Sequence, residues 1–269
     1  MNLRRVKGVV KKILPERITG LLTGLFYGWH GNYSTWEEAR QKSSGYDSAM
    51  ILGKVAISAG KVRDGMAVYE RDSVLYDQIN YSFPLLSGLL WVAARNKGRI
   101  NVLDFGGSLG SSYYQNKKFL DEIPEVNWCV VEQPGFTEQG QQNFSTGRLH
   151  FFQSIEECLS NHEIDLILLS SVLQYLKEPY KLIDSVISNK IKYIIIDRTP
   201  FIDGDDRLTI QRVHPSIYKA TYPCWFFNKN KFISYLSHEY DRIIEFDALD
   251  KANIPSEFKG FLFGKIKDE

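Results

Sequence analysis

The sequence predicts an α/β fold: a mostly parallel, seven-stranded sheet with a C-terminal antiparallel hairpin, preceded by an N-terminal helical extension. Three observations predict this fold. Short apolar runs alternate with helical stretches from Ile100 onwards, a glycine-rich segment joins the first run to a helix, and two apolar segments close the chain. The 269 residues, 43% of them hydrophobic, are enough to bury the core of one large domain.

Seven segments have the composition of strands, and helical stretches separate most of them. The predicted strands are 100–105, 128–131, 149–152, 165–169, 193–196, 242–246 and 258–266. The predicted helices are 111–122, 137–144, 178–188 and 228–238. Pro179 and Asn228 are start signals for the last two helices. The final two strands are expected to pair and close the edge of the sheet.

Residues 1–98 are predicted to form a helical extension, or cap, in front of the sheet domain at 99–269. Within it, the segment from Ser34 to Glu37 is a capping pattern, 72–79 is a short helical candidate, and Pro84 begins a helix that ends near Arg95. An insertion at about 199–227 follows the fifth strand, where a lid over an active site would lie.

Charge and cysteine content limit the partners that can be expected. The 33 basic and 32 acidic residues nearly cancel, so we expect no nucleic-acid partner. Cys129, Cys158 and Cys224 lack the close spacing of metal sites and disulfide frameworks. We therefore expect no metal site, and a reducing, cytoplasmic setting.

The charge is uneven at the start of the chain. Residues 1–17 contain six basic residues and one acidic residue, and their apolar residues recur at helical spacing. This pattern is consistent with peripheral membrane contact, although a basic solvated face on an ordinary helix explains it more simply. The apolar stretch 18–29 is shorter than the roughly 20 residues that a membrane span needs.

A glycine-rich segment carries the chemistry. It runs from Val102 to Gly110, and its glycines allow a sharp turn and a close approach of backbone to ligand. Asp104 stands two residues before Gly106, where a carboxylate disfavours a phosphate but suits a cationic amino group. Glu132 ends the second strand, where an acid accepts hydrogen bonds from both hydroxyls of a ribose. Together they predict a site for a positively charged nucleoside.

These residues resemble the first motif of class I S-adenosylmethionine-dependent methyltransferases, in which a strand and an acid precede a Gly-x-Gly-x-Gly-like loop. Ser108 stands here in place of the middle glycine. The resemblance covers roughly 100–267 and implies a Rossmann-like fold, S-adenosylmethionine as cofactor and S-adenosylhomocysteine as product. The segments 31–39, 197–200 and 222–226 also resemble a poorly characterised bacterial family of methyltransferases, often associated with surface-polysaccharide genes.

The resemblance implies cofactor contacts for glycine, acidic and polar residues at the strand ends. They are Asp104, Gly106, Gly107, Ser108, Gly110, Glu132, Gln133, Ser154, Ser170 and Ser171. The glycine loop would face the methionine portion, Asp104 its amino group, and Glu132 the ribose. Ser154 follows the third strand at the adenine position, where an inert loop residue is equally expected.

The fifth strand and the insertion provide candidates for contact with a methyl acceptor. Asp197 can take a hydroxyl proton and Arg198 can orient an anionic acceptor, or the two can form a structural ion pair. His214 is a further catalytic candidate, with a surface role as its alternative. Aromatic residues concentrated at 218–227 would wall a pocket or form ordinary core.

The predicted function is methylation of a small or saccharide-type acceptor, on oxygen rather than nitrogen. A nicotinamide-dependent oxidoreductase would use the same loop and ribose acid, but Asp104 and the terminal hairpin argue against it. A catalytically silent nucleotide-binding domain is a third possibility, because a fold alone does not prove activity.

Overall fold

The computed structural model describes residues 26–45 and 48–266. The basic segment 1–17, considered above for membrane contact, lies outside the described residues. Twelve strands occur in the described part of the chain. They are β1 (Gly28–Tyr33), β2 (Tyr69–Arg71), β3 (Val74–Tyr76), β4 (Arg99–Phe105), β5 (Glu125–Val131), β6 (Leu149–Phe152), β7 (Leu166–Ser170), β8 (Tyr193–Ile202), β9 (Arg207–Arg212), β10 (Thr221–Asn228), β11 (Tyr240–Asp247) and β12 (Glu257–Lys265).

Eight α-helices lie between these strands in the same ranges. They are α1 (Trp36–Gln41), α2 (Ser48–Arg63), α3 (Phe83–Arg95), α4 (Ser111–Leu120), α5 (Pro134–Asn143), α6 (Ile155–Asn161), α7 (Pro179–Ser188) and α8 (Lys229–Leu236). A short 3₁₀ helix spans Leu173–Tyr175. No described helix is both long and apolar enough to span a membrane.

The predicted seven-stranded arrangement is confirmed. Strands β6, β5, β4, β7 and β8 lie side by side and parallel. Strand β12 pairs antiparallel with β8, and β11 pairs antiparallel with β12. The terminal hairpin therefore completes the sheet beyond the fifth parallel strand, as expected for this Rossmann-like fold.

Both faces of the parallel strands are buried, which explains their continuous apolar composition. Because side chains alternate along a strand, Val102 and Trp128 belong to the core on one face, whereas Leu103 and Cys129 belong to the core on the other. Helix α6 was not predicted. It begins directly after β6 at Ile155, and its short length left little periodic pattern in the sequence.

The insertion at 199–227 is part of the sheet, so the expectation of a lid-like loop there is wrong. Strand β8 continues to Ile202, and its end pairs with β10 in parallel. Strand β9 pairs with β10, and β1 from the N-terminal segment pairs with β9. Leu208 and Ile210 of β9 are buried with Ala39 of α1 in a small third core, which fixes this added edge.

The N-terminal segment is only partly helical. Helices α1 and α3 confirm two predicted helices, and the Thr35 hydroxyl caps α1 by accepting a hydrogen bond from the Glu38 N–H at 3.2 Å. The predicted helix at 72–79 is wrong. Strands β2 and β3 form a hairpin there, and its turn residues Asp72 and Ser73 both have positive φ, at 53° and 66°. Such a turn matches the twist of a tight hairpin.

Candidate cofactor and acceptor site

The glycine loop between β4 and α4 requires its glycines for steric reasons. Gly106 has a φ of +72°, and a Cβ built on it would lie 2.7 Å from Val172 Cγ2. A Cβ on Gly107 would lie 2.5 Å from Asp104 Cγ. Ser108 also has a positive φ, of 56°, so it occupies a conformation that favours glycine. The serine fills the backbone role of the glycine that it replaces in the motif.

Asp104 lies almost completely buried at the end of β4, with 1% of its surface exposed. The Trp128 indole N–H donates a hydrogen bond to Asp104 Oδ2 at 3.0 Å. The pKa of the Asp104 carboxyl is raised to about 7, chiefly by burial and to a smaller extent by the charge of Glu132, while the Trp128 hydrogen bond opposes this shift. A cationic ligand would therefore be well placed to draw Asp104 into its charged form.

Glu132 follows the end of β5, and its side chain is hydrogen-bonded to the glycine loop. Its carboxylate accepts hydrogen bonds from the Ser108 N–H at 3.3 Å and the Gln133 N–H at 2.8 Å. Burial raises its pKa, and these two bonds oppose the shift. Asp104 and Glu132 line the same cavity, one on each side of the loop.

This cavity has a volume of about 920 Å³ and lies along the carboxyl ends of β4, β5, β7 and β8. Its size suits a nucleoside together with a second small molecule. Ten of the predicted site residues line it. They are Asp104, Gly106, Gly107, Ser108, Glu132, Gln133, Ser170, Ser171, Asp197 and Arg198.

Three predicted site residues do not line the cavity. Gly110 has a left-handed conformation and caps α4. The Ser154 hydroxyl caps α6 by accepting a hydrogen bond from the Glu157 N–H at 3.1 Å, while its neighbour Gln153 reaches the cavity. His214 is exposed, pairs with the Ser216 hydroxyl at 2.7 Å and packs its ring against Tyr27.

Asp197 and Arg198 follow one another at the cavity, but they do not form the side-chain ion pair considered above. The Arg198 guanidinium instead binds both carboxylate oxygens of Asp250, at 2.8 and 3.1 Å. An Asp72 carboxylate oxygen lies 4.0 Å from an Arg198 guanidinium nitrogen. Asp197 is 2% exposed, and burial raises its pKa to about 6, although the charge of Arg198 opposes this rise.

Gln174 connects two residues of strained backbone, one after the end of β7 and one within β8. Its side-chain amide donates to the Ser171 hydroxyl and to the Arg198 carbonyl, both at 3.1 Å. Ser171 and Arg198 both have positive φ, and the Ser171 N–H donates to the Asp197 carbonyl at 2.9 Å. The end of β7 is thereby fixed beside the middle of β8.

Phenol groups wall the part of the cavity beside the added strands. The Tyr175 hydroxyl donates to the Gln211 side-chain carbonyl at 2.7 Å, and its ring meets Tyr222 edge-on at 5.3 Å. The hydroxyls of Tyr218 and Tyr222 lie 3.4 Å apart. Of the other predicted aromatic residues, Trp225 stacks on Trp36 and 226–227 are buried in the core. The aromatic segment thus provides both a wall and core.

The β2–β3 hairpin supplies cavity residues that were not predicted. Tyr69, Arg71 and Asp72 line the cavity. Glu70 is 3% exposed; its carboxylate accepts hydrogen bonds from the Ser111 hydroxyl and from the Ser73 N–H, the latter at 3.2 Å. Burial raises the pKa of Glu70 to about 7. The sequence contains two short segments of strand-forming residues on either side of a polar turn, which is typical of a hairpin. The prediction of a helix at 72–79 overlapped them, so the hairpin was not predicted.

Comparison with known proteins finds similarity only in three dimensions. No protein-family profile and no curated protein sequence matches the chain. A methyltransferase from Methanosarcina mazei, dependent on S-adenosylmethionine (SAM), is 12% identical with a TM-score of 0.50; the match covers 69% of this chain and 98% of that one. The 1,6-didemethyltoxoflavin-N1-methyltransferase of Burkholderia thailandensis is 13% identical, with a TM-score of 0.47, over 89% of this chain and 94% of that one.

A third similar structure is the magnesium protoporphyrin IX methyltransferase of Synechocystis PCC 6803. It is 12% identical with a TM-score of 0.48, and the match covers 79% of this chain and 99% of that one. At such identities the likeness concerns the fold alone. The class of fold is therefore the Rossmann-like sheet with a terminal antiparallel hairpin. One protein that shares it, at a TM-score of 0.50, is the Methanosarcina mazei methyltransferase.

Proposed function

We propose that this chain is a SAM-dependent methyltransferase whose cofactor lies in the 920 Å³ cavity over the glycine loop. One observation carries the proposal: the buried carboxyl group of Asp104 and the half-buried carboxyl group of Glu132 line one cavity at the strand ends. Glu132 would accept hydrogen bonds from the ribose hydroxyls, and Asp104 would bind the amino group of the methionine portion. When bound, the cofactor supplies a methyl group activated by a sulfonium.

The residues at the loop fit such a ligand better than a dinucleotide. A pyrophosphate at the glycine loop would lie against the Asp104 carboxyl group, whereas an ammonium group relieves the cost of burying the Asp104 charge. The absence of a Cβ at Gly106 and Gly107 leaves the loop backbone close to the cavity. This fit disfavours a nicotinamide-dependent oxidoreductase.

We further propose a hydroxyl acceptor on a small saccharide-type molecule, held at the phenol-lined end of the cavity. Asp197, with its pKa near 6, is placed to accept a hydroxyl proton around neutral pH. Phenols and the Gln211 amide can exchange hydrogen bonds with further hydroxyls. Alignment of acceptor and methyl group would provide most of the rate enhancement. His214 is not part of this proposed site, because it lies outside the cavity wall.

The acceptor is expected to be uncharged, which revises the anionic acceptor expected from Arg198. The Arg198 charge is already satisfied by both oxygens of Asp250. With Asp72 and Asp197 also present, carboxyl groups outnumber the arginine at this end of the cavity. A phosphate or carboxylate on the acceptor would therefore meet net repulsion.

Thermal unfolding with candidate cofactors tests the proposed class. We expect SAM and S-adenosylhomocysteine to raise the melting temperature, and NAD and NADP to leave it unchanged. Gly106→Arg should abolish the shift, because the side chain would enter the cofactor site, whereas Gly147→Arg, in open space, should not. Asp104→Asn provides a second variant in case Gly106→Arg does not fold. Stabilisation by nicotinamide cofactors alone would contradict the proposal.

Methyl transfer to matched sugars tests the acceptor. The wild-type protein should methylate a neutral hexose derivative in preference to the corresponding uronic acid or sugar phosphate. Asp197→Asn should lower the rate of transfer while preserving binding of S-adenosylhomocysteine. Cofactor binding without turnover on any hydroxylated acceptor would instead support a catalytically silent domain.

A further inference from the structure

Arg71 is a cavity-lining cation that acts on Glu70 and Asp197 through its charge but makes no direct ion pair with a described residue. Three arginines line it: Arg40, Arg71 and Arg198. Arg198 is bound to Asp250, and Arg40 lies exposed on α1. Arg71 is half-buried, yet among the described residues its side chain has neither a hydrogen bond nor an ion pair. A partly desolvated guanidinium without a partner is costly unless a ligand supplies an anion.

The β2–β3 hairpin places Arg71 in the cavity wall, between Glu70 at the loop helix and Asp72 beside Arg198. The neighbouring Glu70 binds the Ser111 hydroxyl, and Ser111 is the first residue of the helix that follows the glycine loop. Because side chains alternate along a strand, Tyr69 and Arg71 share the other face of β2, and both line the cavity. The hairpin is thus fixed to the loop helix one residue away from Arg71.

We propose that Arg71 binds the carboxylate of the cofactor's amino-acid portion, an assignment that rests on the function proposed above. The cofactor carries one carboxylate, and the loop side of the cavity already presents Asp104 and Glu132 to its amino and hydroxyl groups. Arg71 is the complementary cation, and a guanidinium can bind both oxygens of a carboxylate at once. The hairpin thereby becomes the third element of the cofactor site, with the glycine loop and the end of β5.

Two ligands that differ in the amino-acid portion test this assignment. S-adenosylhomocysteine contains the carboxylate, whereas 5′-methylthioadenosine keeps the nucleoside and the sulfur but lacks it. In calorimetric titrations, Arg71→Gln should weaken binding of S-adenosylhomocysteine about tenfold to a hundredfold and leave binding of 5′-methylthioadenosine unchanged. Arg71→Lys should recover part of the loss. Arg40→Gln, which removes the exposed cavity cation, should leave both affinities unchanged.

Each other outcome overturns the assignment. Equal weakening of both ligands would show that Arg71 acts through the shape of the site, and no change in either would show that it does not touch the cofactor. Equal losses of affinity for S-adenosylhomocysteine in Arg40→Gln and Arg71→Gln would indicate long-range electrostatic attraction rather than a direct contact. Failure of the wild-type protein to bind either nucleoside would overturn the proposed function itself, and is distinguishable from failure of the assignment alone.

Discussion

At the residue scale, the cavity is lined by carboxyl groups whose pKa values are raised by burial. The pKa of Asp104 is raised to about 7 and that of Asp197 to about 6, chiefly by burial. The same physical effect serves two different tasks in the proposed site. Asp104 would bind a cation and become charged, whereas Asp197 would accept a proton from the acceptor.

The titration of Asp104 predicts how cofactor affinity depends on pH. Below pH 7 its carboxyl is mostly protonated and binds an ammonium group poorly, so affinity for S-adenosylhomocysteine should rise as pH increases from about 6 to about 8. Titration calorimetry at several pH values measures this, and Asp104→Asn should both weaken binding and flatten the profile. A flat wild-type profile would count against the role of Asp104.

The contact between Gly107 and Asp104 predicts a large effect from a single methyl group. Gly107→Ala would place a Cβ 2.5 Å from Asp104 Cγ, which must displace the carboxyl from the Trp128 indole. We expect a loss of about 1–3 kcal/mol in unfolding free energy and weaker cofactor binding. Gly147→Ala is the control, since its Cβ meets nothing within 4 Å. Equal stability of both variants by urea denaturation would show that the carboxyl can move aside freely.

At the scale of elements, the β2–β3 hairpin connects the N-terminal segment to the cofactor loop. Its Glu70 carboxylate is buried against Ser111 of α4, and its Asp72 lies beside Arg198 at the other end of the cavity. The hairpin therefore spans the cavity from the loop helix to the acceptor side. The Glu70 contact holds it at the loop end, and at its turn the Ser58 hydroxyl donates to the Ser73 carbonyl at 2.8 Å.

Removal of the contact between Glu70 and Ser111 should loosen the hairpin. In Ser111→Ala, one Glu70 oxygen loses its hydroxyl donor while remaining buried, so we expect a loss of about 1–3 kcal/mol in unfolding free energy. Ser112→Ala, which truncates the adjacent cavity-lining serine, should change stability by less than about 0.5 kcal/mol. Chemical denaturation compares the two variants. Indistinguishable midpoints would mean that the hairpin is held by its other contacts.

The elements differ in how far the sequence could predict them. The parallel strands and the terminal hairpin were predicted because strands buried on both faces give continuous apolar runs. That pattern also located Asp104 and Glu132 at strand ends. The β2–β3 hairpin was missed because three-residue strands carry little periodicity. Strand β1 and the pairing of Arg198 with Asp250 were missed because both depend on partners distant in sequence.

At the scale of the whole molecule, the added edge of β1, β9 and β10 widens the sheet beside the proposed acceptor end. Strand β9 carries Gln211, and the segment around β10 carries the phenols of Tyr218 and Tyr222. The N-terminal segment and the insertion therefore contribute to one continuous wall. The proposed cofactor side is made by the predicted parallel strands, and the proposed acceptor side largely by this added edge.

Buried acids also predict how the stability of the molecule changes with pH. The folded pKa values of Glu70 and Asp104, about 7, and of Asp197, about 6, lie above the value of roughly 4 expected in the unfolded chain. Protonation of these groups therefore stabilises the folded state. This contribution to the free energy of unfolding is fully present below the unfolded-state pKa and is lost as pH rises through the folded-state pKa values. The urea midpoint of the ligand-free protein should therefore fall between pH 5 and about pH 8. A midpoint that rises over this range would contradict the burial of these groups.

The central claim is that one cavity binds a cationic sulfur nucleoside between Asp104 and Glu132. A crystal structure of the protein grown with S-adenosylhomocysteine tests it most directly. We predict that the ribose hydroxyls donate to the Glu132 carboxylate and that the amino group lies against Asp104, with the thioether over Gly106 and Gly107. A ligand bound elsewhere, or bound in this cavity with its ribose away from Glu132, would contradict the claim.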